Sequence, residues 1–148
     1  MNTKTPVNFT LHIRLPWWIK GNATICINEK EEMTVTEKTA FYALSRTWQD
    51  GDSVRILLPQ GITAWPLPED KNMVAFLYGP VLLVGLCDEE RRLELNGMSP
   101  EQLLANDNER EWGNWKDTFK TIGQERGISF VPLYDVGYET YTTYFPIR

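Results

Sequence analysis

One histidine and two cysteines are all this chain of 148 residues holds of the side chains that most metal centres, disulfide frameworks and nucleophilic triads require. A triad needs a base beside its nucleophile. His12 lies on the polar side of an alternating stretch, with no serine or cysteine motif beside it, and reads as a solvated surface residue. Cys26 and Cys87 sit apart in apolar runs and form no CxxC pair. They read as small buried hydrophobes, with a disulfide between them as the alternative. The run NDNERE from Asn106 hints at a calcium loop but lacks the central glycine and the distal glutamate such loops use. No metal site is expected.

Long hydrophobic runs are missing as well. The longest, Val81 to Cys87, falls far short of the roughly 20 residues of a membrane-spanning helix, so no membrane partner is expected. The opening MNTKTPVNFT has no apolar stretch after its lysine and does not read as a secretory signal. A net charge of −5 with no dense Lys/Arg stripe argues against nucleic acid, whose backbone is bound by clustered cations. P-loop, GxGxxG and GxSxG patterns are absent. With 20 acidic residues, some pair of carboxylates will lie at the roughly 5–10 Å of a glycosidase site whatever the function, so their number decides nothing. Asp50 and Asp52 read as turn formers and Asp88 to Glu90 as a solvated loop. No catalytic residue and no cofactor are assigned to the chain.

What is present is strand. Phe9, Leu11, Ile13 and Leu15 alternate with Thr10, His12 and Arg14, a period of two that places the apolar set on one face. Pro16 ends this run, and Ala23 to Ile27, Met33 to Thr36, Phe41 to Trp48 and Ser53 to Leu58 follow. Asp50-Gly51 between the last two is a strong hairpin signal. Prolines then leave room only for a short or edge strand at Ile62 to Trp65. Met73 to Tyr78 and Val81 to Cys87, joined by Gly79-Pro80, are apolar almost throughout, as strands covered on both faces are. Ser99-Pro100-Glu101-Gln102 has the cap, first-turn proline and reciprocal glutamine of a helix start, predicting one short helix over Ser99 to Ala105. Strand signals return at Ile128 to Tyr134 and Glu139 to Phe145. The pattern predicts an all-β, antiparallel β-sandwich of jelly-roll type, with one short helix and long loops in the second half. Composition changes near Asp88, which suggests a sandwich over residues 1–88 and a C-terminal segment, 89–148, that completes it or forms a small subdomain.

Six tryptophans are plentiful for this length. Trp17, Trp18, Trp65, Trp112 and Trp115 fall at strand ends or in loops, where they serve either as core or domain-interface plugs or as platforms for sugar rings. Of the adjacent pair Trp17-Trp18, only one can face the core.

Several stretches resemble a known family. FTLHIRLPWWIKGNATICINEK, then SRTWQDGDSVRILLP, then NMVAFLYGPVLLVG are similar in order and spacing to the β-sandwich region that follows the catalytic barrel in glycoside hydrolase family 127, the β-L-arabinofuranosidase-like family. The ending FVPLYDVGYETYTTYFPIR resembles the tail of Bacteroides-type members. Departures are Trp17 where glycine is commoner, Leu133 in place of phenylalanine, and Asp135 to Tyr138 where a His-Asp pair is usual. The resemblance implies a non-catalytic accessory domain, partnered by an upstream (α/α)6 barrel of the same polypeptide. That barrel would carry a cysteine nucleophile and a zinc site, neither of whose motifs occurs here. It further implies a periplasmic or extracellular parent. The alternative is a carbohydrate-binding module that holds an oligosaccharide on its exposed tryptophans.

Overall fold

The computed structural model describes residues 1–37, 40–107, 110–111, 114–115 and 117–148. They form an all-β, antiparallel structure that divides into two compact units, Met1–Gly61 and Ile62–Arg148. The division falls well before the change of composition at Asp88.

The first unit is a small sandwich. Strands β1 (Val7–Leu15), β2 (Ala23–Ile27), β3 (Glu31–Val35), β4 (Ala40–Trp48) and β5 (Val54–Leu57) form two sheets, β1-β4 and β3-β2-β5. Alternation in β1 aims Ile13 and Leu15 at one buried cluster. Leu44 and Trp48 of β4 and Ala23, Ile25 and Ile27 of β2 complete that cluster from both sheets. His12, opposite Ala43, is exposed on the outer face.

One expectation fails here in an instructive way. Asp50-Gly51 does reverse the chain: Gly51 has φ +82° and Asp52 N–H donates to the Gln49 carbonyl at 3.2 Å. Yet β4 pairs with β1, whereas β5 pairs with β2. The turn therefore joins two sheets instead of closing a hairpin. Turn chemistry fixes the reversal, but facing Trp48 and Leu44 across the core to Ile25 and Ile27 buries more apolar surface than pairing β4 with β5 edge to edge.

Side chains tie this turn to the β2–β3 turn. Asn28 Nδ2 donates to Asp52 Oδ1 at 2.7 Å, Gln49 N–H donates to Asp52 Oδ2 at 2.8 Å, and Ser53 N–H donates to Asn28 Oδ1 at 2.8 Å. The Gln49 and Asn28 hydrogen bonds, in that order, hold the Asp52 carboxyl below its ordinary range. A folded-state pKa below the unfolded one contributes stability above the unfolded value, near 3.8, which is lost as pH falls through the folded value. Asp52 is only half-buried, so the effect is small. Asp52→Asn is expected to lower the urea midpoint at neutral pH and to converge with the wild type in acid; a gap that persists at the acid end would contradict this origin.

The second unit is built on β6 (Ile62–Pro66), β7 (Met73–Tyr78), β8 (Val81–Leu86), β9 (Leu104–Asn106), β10 (Arg110–Glu111), β11 (Asn114–Trp115), β12 (Phe119–Thr121), β13 (Ser129–Pro132), β14 (Tyr141–Thr142) and β15 (Tyr144–Pro146). One curled sheet runs β15-β7-β8-β13-β12-β9, with β6 added on β7 and β14 on β8. Among the described residues, β10 and β11 pair only with each other. Two-sided burial of the central strands is as their composition predicts: Val74, Ala75 and Phe76 are buried consecutively, as are Leu83, Val84 and Gly85. Gly79, at φ +56°, opens the two-residue loop between Tyr78 and Val81, which pair directly. Among the described residues β6 pairs with β7 alone, as an edge strand.

Two local expectations are corrected. The helix over Ser99 to Ala105 is a single 3-10 turn, Pro100–Leu103, and Leu104–Asn106 is strand. The reciprocal glutamine is in place, with Ser99 N–H donating to Gln102 Oε1 at 2.9 Å. Leu103 and Leu104 are adjacent and both buried, and pairing of Leu104 with Thr121 overrides continuation of the helix. The single strand expected over Glu139 to Phe145 is divided: β14 pairs with β8 and β15 with β7. Phe145, fully buried between Phe76 and Phe130, anchors the second piece.

Candidate functional site

The tryptophans separate by position. After Pro16 the chain turns, and Trp18 packs on the core of the first unit with Ile19 buried beside it. Trp17 points the other way and stays 43% exposed. Trp65, on edge strand β6 of the second unit, is 52% exposed. Trp112 lies outside the described residues. Trp115 belongs to β11, opposite Arg110, and its side chain is likewise outside the description. Trp17 and Trp65 thus belong to different units. Trp48, not singled out by position in the sequence, is the fully buried centre of the first unit.

Among the described residues no three His, Cys, Asp or Glu side chains gather where an ion could be held; residues 108 and 109 of the calcium-like run lie outside them. Cys26 and Cys87 are half-buried free thiols, and burial pushes the Cys87 thiol up from its usual value. No described helix is long and apolar enough to cross a membrane.

Tyrosines, not tryptophans, line a cleft in the second unit. Where β8 ends, residues 87–91 leave the sheet, and the tail running through β14 lies alongside because Tyr141 pairs with Leu86 and Thr142 with Gly85. Between them is a cleft of about 260 Å³, walled by Cys87, Asp88, Glu89, Glu90, Arg91, Thr140, Tyr141, Thr142 and Tyr144. Arg91 is ion-paired to Glu89, and its Nε is buried without a hydrogen-bond partner. Asp88 and Glu90 have neither a hydrogen-bond nor an ion-pair partner among the described residues. Tyr138, Tyr141 and Tyr144, set among threonines, are the signal in the sequence.

Comparison with known proteins places this architecture. No curated protein matches the sequence. Among solved structures, a GH127 β-L-arabinofuranosidase from Geobacillus stearothermophilus T6 superposes with a TM-score of 0.73 at 18% identity, covering 99% of this chain and 28% of that one. A second GH127 β-arabinofuranosidase gives 0.73 at 15% identity, covering 99% and 29%. A further glycoside hydrolase gives 0.68 at 16%, covering 95% and 28%. The chain therefore spans under a third of the length of these proteins and shares their fold over that part. Residues 1–60 match the family model described as Beta-L-arabinofuranosidase, GH127 middle domain, which is what this part of the chain resembles.

Proposed function

We propose that this chain is a non-catalytic accessory part of a larger glycoside hydrolase, packing on and stabilising an (α/α)6 catalytic barrel in the same polypeptide. The observation that carries the reading is the match of residues 1–60 to a middle domain, a kind of domain that by its place has neighbours along the chain. The scarcity of chemistry supports it: one exposed histidine and no gathered metal donors among the described residues. Sugar cleavage, the zinc site and the cysteine nucleophile then belong to the barrel, and the parent acts in the periplasm or outside the cell.

Mixing the chain with the separately expressed barrel and measuring mass in solution tests the reading. A 1:1 complex is expected, and two components that sediment independently at every concentration would contradict it.

Exposure of Trp17 and Trp65 favours a second reading, a carbohydrate-binding module. Titration with arabinan, pectic and mucin oligosaccharides should then quench tryptophan fluorescence saturably, and Trp17→Ala or Trp65→Ala should remove part of the quench. Flat titrations into the millimolar range would eliminate it.

A further inference from the structure

We infer that the cleft at the end of β8 binds one neutral sugar ring, with Tyr141 and Tyr144 as stacking faces and the Asp88 and Glu90 carboxylates as acceptors for ring hydroxyls. The inference deepens the reading of the chain as part of a sugar-cleaving protein, and it moves the contact away from the tryptophans.

Four observations carry it. The cleft is built on sheet: β8 is buried at Leu83 and Val84, and its pairing with β14 fixes the loop and the tail against each other, so the walls are held by backbone ladders. Its volume of about 260 Å³ lies below the roughly 300–1,000 Å³ of sites for drug-sized ligands, which suits a single ring. Tyr141 and Tyr144, each 44% exposed, offer apolar area beside polar groups, the amphipathic surface a sugar ring matches. Finally, the polar groups are in a state to be used. Glu89 is engaged by Arg91 and Arg126, whereas Asp88 and Glu90 are unpaired among the described residues.

Charge selects the ligand class. Three carboxylates against one guanidinium repel an anion, and a simple cation would leave the Arg91 Nε–H, buried without a partner, with nothing to accept its hydrogen. A hydroxyl donates to a carboxylate and accepts from an N–H or O–H. A polyhydroxylated ring does both at once.

The test is a titration of the isotope-labelled 148-residue chain with methyl β-L-arabinofuranoside and methyl β-D-galactopyranoside, following backbone amides. Saturable shifts are expected at residues 87–91 and 140–144. Tyr141→Ala should weaken binding roughly tenfold, the loss that goes with removing one well-placed aromatic contact. Tyr141→Phe should retain it, which separates loss of the platform from loss of the fold, and Glu90→Gln should weaken it. The inference is overturned if neither sugar shifts these amides, if Tyr141→Ala binds like the wild type, or if tetramethylammonium or sulfate shifts the same amides at the same concentrations. Any of these leaves a 1:1 complex with the barrel untouched, so the two readings fail separately.

Discussion

Replacing Trp48 by alanine should destabilise the first unit by about 3–5 kcal/mol, the usual cost of truncating a buried large aromatic. Trp48 is fully buried, its Nε1–H donates to the Phe9 carbonyl at 3.1 Å, its ring stacks on Phe9 at 5.5 Å, and the Arg46 guanidinium lies 5.3 Å from the ring centre. Truncation leaves a cavity between the two sheets and an acceptor without its donor. A unit of about 60 residues buries only about 60% of its unfolded surface and is marginal to begin with, so the loss is a large share of its stability. Urea unfolding followed by near-ultraviolet circular dichroism is the readout. Trp48→Phe, which keeps most of the volume and loses the N–H, should cost less than half as much. Equal losses in the two variants would mean that the hydrogen bond, not packing, holds the site.

A methyl group added at Gly85 should be the most damaging small change in the second unit. A Cβ there would lie 2.4 Å from Phe145 Cζ, 3.1 Å from Phe130 Cζ and 3.2 Å from Ile128 Cγ2. Both rings are fully buried and meet at 4.9 Å between centres, so neither can swing into solvent. Overpacking of this kind costs about 1–3 kcal/mol, and Gly85→Ala is expected at the upper end. The explanation makes a sharper demand: in a Phe145→Leu background, where the ring tip is gone, Gly85→Ala should cost clearly less than in the wild type. Additive losses would show that the clash is not what matters.

Residues whose local pattern agrees with their long-range environment were legible in the sequence. The alternation of Phe9 to Leu15, the stop at Pro16, the two-sided burial of Met73–Tyr78 and Val81–Leu86, and the loop at Gly79-Pro80 all follow from period, proline and glycine. Pairing partners were not. Asp50-Gly51 announces a reversal, but nothing local says that β4 and β5 will part into different sheets, because a core assembled from four strands makes that choice. Leu103-Leu104 carries helix signals upstream of it and a strand partner, Thr121, far downstream, and the partner wins. The tail shows period two throughout, yet its halves pair with β8 and β7.

Legibility of the candidate site was poorer for a related reason. Tryptophan abundance drew attention to Trp17 and Trp65, which the fold puts in separate units. The tyrosine cleft is made by residues about 50 apart in sequence and brought together only by β14 pairing with β8.

Sugar release from an aryl β-L-arabinofuranoside, compared between this chain alone and the polypeptide that joins it to the barrel, tests the account most directly. The account predicts no release by residues 1–148 alone, release by the joined polypeptide, and a shortened half-life at elevated temperature when residues 1–148 are removed from it. Turnover by the isolated chain, or a barrel equally active and equally durable without it, would contradict the account.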